Sequence, residues 1–381
     1  MPSETFSILA VGDLILDNPE PESLSDLVAP MLKSAQVVVG QLEVMFTSRG
    51  EKQNTEIPAP PCDPENLKAL TKANVNVVTL AGNHVWDSGA PGIEDTITGL
   101  KRLGIDYTGA GMNLAEAKRP CIITRDGTRI GFLAYNCIGP KDSWAAPDKP
   151  GCAYVRVLTH YEQDHETPGS PPAIYTFAED KSLTAMNKDI LELRKETDIL
   201  VVSFHKGFPH TPAKLLDYEH EICRSAIDSG ADVILGHHAH ILKGIDFHKG
   251  KVVFHGLGNF ITVTKALTEG PNLNLKKWIK RRKEMFGFEP DPEYPTYPFH
   301  PEARQTIIAK LLIADRKISQ VSYIPCLVNK KGQPEPLKND KEGNQVFEYM
   351  KRITKAAGLK ASFNWKEKEV IVTESTIGNP C

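Results

Sequence analysis

Residues 234–240, ILGHHAH, constrain this chain more than any other stretch. The apolar run from Asp232 to Leu235 stops at Gly236, and His237, His238 and His240 then follow within four positions. A short run that is apolar on both faces belongs to a strand covered on both sides, as in α/β proteins. Imidazoles gathered where such a strand stops point to a metal site at the carboxyl edge of a parallel sheet.

Four other apolar runs stop in a related manner. Residues 6–12, FSILAVG, lead into Asp13, and an acid in that place is a helix cap, a turn residue or a ligand. Residues 37–40, VVVG, lead through QLE to Glu43. Residues 75–80 break into AGNHVWDSG, where Gly82 permits a tight turn and Asn83, His84 and Asp87 fall together. Residues 198–204 deliver His205, followed by Lys206 and His210; a lone histidine there is as readily structural. Read as five consecutive strand–helix crossovers of a doubly wound sheet, these ends share one edge. Two carboxylates, an amide and several imidazoles make a mixed oxygen and nitrogen donor set, which suits Mn, Fe, Zn or Co better than Mg or Ca. The expected cofactor is one or two such divalent ions. A metal held there brings the pKa of bound water toward neutrality and polarises a carbonyl or phosphoryl oxygen. His84 is placed to be a general acid, with Asp87 orienting its ring.

The remaining pattern is α/β. Helices are expected at 22–33, 64–73, 91–103, 183–197 and 212–230. A hairpin is expected across 121–136, turning at Asp126-Gly127, and a short strand at 153–157. Residues 47–64, 136–151 and 159–180 read as loops. A strand at 252–254 leads to HGLGNF, with His255 and Asn259. Residues 262–303 read as an insertion, a lid or a contact element, with a basic piece LKKWIKRRKEMF. That run reads as a solvated helix face, with contact to a polyanion as the weaker reading. Strands near 304–313 and 319–325 follow, then a helix at 344–357 capped by Asn344 and two short strands. The expected organisation is one domain over 1–330 and a C-terminal extension, 331–381, packing on it.

Composition limits the function classes. With a net charge of −3 and a pI near 6.5, the chain is no dedicated nucleic-acid binder. No signal peptide or membrane-spanning run is apparent, and the seven cysteines form no CxxC pair, so reduced thiols in a soluble, cytoplasmic protein are expected.

AVGDLIL, GQLE, AGNHVWDSG, VVSFHKG, GHHAH and GLGNF stand in the order of the blocks of the CapA/PgsA proteins of capsule and poly-γ-glutamate biosynthesis. The chain resembles that family over residues 6–262 and more weakly near 304–326. The resemblance implies a calcineurin-like metallophosphatase fold, a layered α/β sandwich with mixed sheets inside and helices outside. It implies Asp13 as first metal ligand, Glu43 in the place of a metal-bridging acid, and Asn83, His205, His238 and His240 as the other ligands. It places His84 as the catalytic histidine, and His237 as an alternative member of the His-x-His pair. The chain departs from the pattern at Ile15, where the wider metallophosphatases carry a histidine, which leaves one or two ions open. Lys206 stands where related chains often have Trp, and His255-Gly256 where they often have Ser. These groups favour an acidic substrate, with a solvent-facing Lys206 as the equal alternative. Lys206, His210, His237, His255 and Asn259 are the candidates for substrate contact.

The function expected is a soluble metal-dependent hydrolase of an amide, ester or phosphoester bond in a small γ-glutamyl-like or other carboxylate substrate. A polymer-binding accessory protein that cleaves nothing, and a metal-dependent lyase or transferase, are the rivals. A homodimer is left open.

Overall fold

The computed structural model describes residues 5–53, 59–163, 172–264 and 275–375. Phe6–Leu16, Val37–Leu42, Val77–Thr79 and Asp106–Thr108 lie side by side and parallel in a ten-stranded sheet. Gln305–Ala314 and Lys317–Val328 join antiparallel on the other side of the first strand, and Glu369–Glu374 and Ala361–Lys366 carry the sheet to its edge. The second sheet has six strands, in the spatial order Leu242–His248, Lys251–Leu257, Val233–His237, Ile199–His205, Thr128–Asn136 and Cys121–Arg125. Its four middle strands are parallel and both edge strands are antiparallel.

Side-chain alternation along the strands sets the layers. In the first sheet Ile8, Ala10, Val37 and Val39 pack against Ile130, Phe132, Val201 and Leu235 of the second. Leu9, Val11 and Val38 point the other way, onto Leu70, Ile93, Ile97 and Leu100 of the covering helical segments. On the far face of the second sheet, Leu133, Leu200, Val202 and Ile234 meet Met186 and Ile190 of helix Asp180–Arg194 and Ile222 and Ala226 of helix Asp217–Asp228. The central strands Phe6–Leu16, Val37–Leu42, Ile199–His205 and Val233–His237 are therefore buried on both faces, which is why their sequences run apolar without alternating with polar residues. This is the layered sandwich, mixed sheets inside and helices outside, that the resemblance implies.

The single doubly wound sheet is not what forms. The ligand-bearing strands divide between two sheets, and they are not consecutive, because the hairpin of Cys121–Arg125 and Thr128–Asn136 intervenes. An apolar run states that a strand is buried; it does not state which sheet it joins. The sheets are stitched together beside the cluster. The chain leaves the second sheet at Leu257, turns at Gly258 (φ 69°), and runs as Asn259–Val263 parallel to Phe6–Leu16, with Asn259 beside Asp13. Gly12 permits that approach, since a Cβ on it would lie 2.0 Å from the Gly258 carbonyl oxygen.

Several local expectations change. Residues 22–33 form only a short turn at Pro21–Ser25 and the four-residue helix Ala29–Leu32, because Pro30 has no N–H with which to continue a helix begun earlier. The helix expected from 212 starts at Asp217. Residues 159–180, expected as a loop, hold the paired strands Val157–Gln163 and Pro172–Ala178, with 164–171 outside the described residues. The strand expected at 153–157 is replaced by an isolated bridge, Asn136 to Tyr154. Strand Leu242–His248 was hidden by its Lys, Gly and Asp. The C-terminal helix is Lys341–Ala356, capped by Asp340 rather than Asn344. Its Val346, Met350 and Ile353 enter the core between the sheets, so the tail completes that core. Among the described residues of the insertion, Leu275–Phe286 is helical, and Tyr297, Phe299 and Ala303 pack on Ala239 and Ile241, next to the histidines.

Candidate metal centre

The carboxyl ends of the parallel strands of both sheets meet at one edge. Asp13 and Glu43 come from the first sheet, His205 and His237 from the second, and the loop after His237 adds His238 and His240. His238 and His240 both adopt left-handed backbone, φ 81° and 52°, so the loop turns sharply enough to aim both rings inward.

Two groups of contacts build the cluster. His205 Nε2 lies 2.7 Å from Asn83 Oδ1, 3.1 Å from His238 Nδ1 and 3.7 Å from Glu43 Oε1. Asp13 accepts from His237 Nδ1 at 2.9 Å and from the backbone N–H of His238 at 3.3 Å, and its Oδ2 lies 3.6 Å from His240 Nδ1. His240 Nε2 is 3.7 Å from the same Glu43 oxygen, which makes Glu43 common to both groups. Ile15 packs in the apolar core, and the position expected for a further imidazole offers no donor.

The electrostatics fit a cation. Burial, then Asp13, pushes the Glu43 carboxyl well above its usual range, and neither of its oxygens has a hydrogen-bond partner among the described residues. Burial, then the neighbouring imidazoles, pushes His205 and His238 well down; burial likewise lowers His240. Imidazoles facing one another at 3.1 Å, beside a buried carboxyl whose oxygens have no hydrogen-bond partner among the described residues, form a set that a divalent ion would satisfy.

The neighbours orient these groups. Asn259 Oδ1 accepts from His240 Nδ1 at 2.9 Å, leaving Nε2 toward Glu43, and Asn259 Nδ2 in turn donates to Tyr297 Oη at 3.1 Å. Tyr297 was not anticipated; the only signal was the aromatic, proline-rich character of the insertion. His84 Nδ1 lies 2.6 Å from Asp87 Oδ2, which also accepts from the backbone of Ala59. The His84 ring keeps 16% exposure, whereas Asp87 is buried.

Of the substrate-contact candidates, His210 lies beside the cluster, its ring 6.1 Å from that of His240, but it is buried against Phe286 and Phe288. His237 and Asn259 are spent on Asp13 and His240. The structure does not bring Lys206 and His255 to the cluster. Lys206 is fully buried, 2.8 Å from Glu219, and also donates to the His255 backbone carbonyl. Burial opposes its charge, but the Glu219 carboxylate holds the ammonium above its ordinary pKa. Lysine at this place reads as a surface or site cation only until Glu219, one helix away, is seen to neutralise it. His220, Asp246 and His255 form a second grouping of ligand-type atoms. The Lys206 ammonium, 3.3 Å from His255 Nδ1, leaves the proton of the neutral ring on Nε2, which removes that nitrogen as a ligand.

The fold and site define a layered α/β protein with a clustered carboxylate–imidazole centre. The sequence matches the family described as "Bacterial capsule synthesis protein PGA_cap" over residues 7–264, and the chain belongs to that family. It is 27% identical over 271 residues to the "PGA biosynthesis protein CapA" of Bacillus subtilis, covering 68% of this chain and 63% of that protein. It is 26% identical over 275 residues to the "Capsule biosynthesis protein CapA" of Bacillus anthracis, covering 68% and 60%. It is 29% identical over 236 residues to a "Probable polyglutamine synthesis accessory protein" of Mycobacterium tuberculosis, covering 60% and 56%. The match thus spans less than two thirds of each relative's length. Among solved structures, a hypothetical protein from Thermus thermophilus aligns with a TM-score of 0.45 at 13% identity, covering 87% of this chain and 100% of that one. The calcineurin-like phosphoesterase YfkN of Bacillus subtilis aligns with a TM-score of 0.39 at 12% identity, covering 93% and 98%. No helix among the described residues is long and apolar enough to cross a membrane.

Proposed function

We propose that this chain is a metal-dependent hydrolase that cleaves an amide, ester or phosphoester bond in a small acidic substrate. The observation that carries the proposal is Glu43, a buried carboxylate with both oxygens unpartnered among the described residues and three ligand-type side chains converging on it. Asn83, His205, His238 and Glu43 would hold one divalent transition metal, Mn, Fe, Zn or Co. Asp13 and His240, with Glu43 shared, would hold a second, weaker one that Ile15 leaves short of an imidazole. A metal bound there supplies a Lewis acid and lowers the pKa of a bound water.

The chain's own groups do the rest. His237 fixes the Asp13 carboxylate, and Asn259 fixes the His240 ring. Asp87 accepts from His84 Nδ1, so the protonated ring has its Nε2–H left for the leaving group. The basic helix Leu275–Phe286, packed on His210 through Phe286, supports an acidic substrate. With the names of the relatives, a γ-glutamyl-type amide is the first choice and a phosphoester the second. The described cysteines are buried free thiols, which supports a cytoplasmic setting.

The test is metal content by elemental analysis of chelator-free protein, followed by turnover of γ-glutamyl amides and phosphoesters. One or two equivalents of transition metal with turnover of either class is expected. Metal-free protein that stays inert after reconstitution would sink the reading. The relatives' names favour a second reading, an accessory role in polymer synthesis in which the cleft binds polyglutamate without cleaving it. Tight binding of polyglutamate by the metal-loaded chain, with no chain shortening, would select it.

A further inference from the structure

Among the described residues, three cationic side chains in the shell around the imidazole cluster and the turn carrying His84 are already committed to protein groups. Lys206 is held by Glu219 and the His255 carbonyl. Lys243, which burial pulls down to a pKa of about 8, donates to the carbonyls of Thr211 and Lys214. Lys149 lies 4.1 Å over the Trp86 ring and donates to the carbonyls of Asp142, Trp144 and Pro150.

Arg282 differs from these. Among the described residues its guanidinium has no hydrogen-bond acceptor and no carboxylate partner. Two ring faces hold it instead, with the centroids of Trp278 at 5.2 Å and Phe286 at 5.3 Å. Phe286 in turn packs edge-on against His210 at 5.1 Å, and Phe288 does so at 5.0 Å. His210 is tied by its backbone N–H to the Ala239 carbonyl, within the loop that carries His238 and His240. The insertion therefore places Arg282 two rings, Phe286 and His210, away from His240 of the candidate metal centre. Burial depresses His210 and His240, and the Arg282 charge adds to the effect at both. A guanidinium bracketed by ring faces keeps its N–H edge free, and that planar fork matches a carboxylate or a phosphate bidentately.

We propose that Arg282 is a specificity-determining residue that receives an oxyanion of the substrate, a carboxylate or a phosphate, at the mouth of the metal centre. This deepens the hydrolase reading of the same site and rests on it. Trp278 and Phe286 pre-orient the fork, so little side-chain freedom is lost when the anion binds. Lys206, Lys243 and Lys149 are spent on the protein itself, whereas the Arg282 guanidinium, without an acceptor among the described residues, is left for a ligand.

The experiment is calorimetric titration of the Mn-reconstituted full chain with two probes, glutarate and inorganic phosphate. The wild type is expected to bind one of them better, and that preference identifies the group the site reads. Arg282→Gln is expected to weaken the preferred probe on the order of tenfold or more, the scale of a lost charge-assisted hydrogen bond. Arg282→Lys, with the charge but without the fork, falls between, and Arg281→Gln binds as the wild type does. Metal content stays the same in all of them. Equal affinity in Arg282→Gln and wild type, or a wild type that binds neither probe, overturns the proposal. If Arg282→Gln loses the anion while the wild type hydrolyses nothing, the anion role stands and only the hydrolase reading falls.

Discussion

Asn83 Oδ1 lies 2.7 Å from His205 Nε2, although 122 residues separate them and the strands that deliver them, Val77–Thr79 and Ile199–His205, belong to different sheets. The contact joins the ten-stranded and six-stranded sheets at their common edge, and each side chain stands where the other needs a partner. If a metal is what these two hold, each single replacement removes one donor. Asn83→Ala and His205→Ala are expected to lower bound transition metal to well under half of the wild-type content after dialysis, and to abolish turnover with it. Elemental analysis reads the first and a substrate panel the second. Full metal occupancy in both variants would show that the pair is only a structural hydrogen bond.

His84 and Asp87 make a different prediction, because they pair with each other beside the ligands. His84→Asn should keep the metal and lose turnover by about 10²- to 10⁴-fold, the range for removal of a general acid. Asp87→Asn should lose less, since the ring remains and only its orientation weakens. The ordering His84→Asn below Asp87→Asn below wild type, at unchanged metal content, is the expected kinetic result. Equal metal loss in both would instead make them part of the ligand shell.

Much of this site was legible in the sequence, and the reason is local. Asp13, Glu43, Asn83, His205 and His238 each stand within a few residues of the end of an apolar run, so the strand that delivers them is written beside them. The pairing that gives them their roles was not legible. Nothing local to His237 states that its Nδ1 meets Asp13, 224 residues away, or that Asn259 fixes His240 rather than a substrate. Lys206 misleads for the same reason, as its neutralising Glu219 lies on a helix thirteen residues on. The division into two sheets was equally hidden, since a fully buried strand reads alike in either. The strands Val157–Gln163 and Pro172–Ala178 escaped because both are largely exposed, the first carries Thr, His, Glu and Gln, and they meet through hydrogen bonding, which composition does not display.

The Lys206–Glu219 pair has a stability signature. Both side chains are fully buried, so removing one charge strands the other in a low-dielectric interior. Lys206→Met is expected to destabilise the fold by about 3–5 kcal/mol in chemical unfolding. Adding Glu219→Gln should recover part of that loss, because the stranded carboxylate is gone. A Lys206 that touched substrate would behave in the opposite manner, with a raised KM in a protein of unchanged stability.

His255 gives the pH prediction. Burial pushes its pKa well below the ordinary value, and the charges of Lys206, His220, Lys243 and Arg224 push the same way. Its folded pKa is therefore depressed, while the unfolded chain titrates it near 6.5. Between those two values the unfolded state holds the extra proton, so stability is full above about pH 6.5 and falls as the pH drops below it. The slope from this one group is at most about 1.4 kcal/mol per pH unit. His205, His210 and His238 add to the same fall, so the contribution of His255 is a difference between two proteins. His255→Asn, which keeps an acceptor for Lys206, should lose stability less steeply than the wild type from about pH 6.5 to about pH 5. Urea unfolding of chelator-treated protein measures both slopes. Parallel curves would mean that His255 is already protonated in the folded state, which would require an acidic partner for its Nε2.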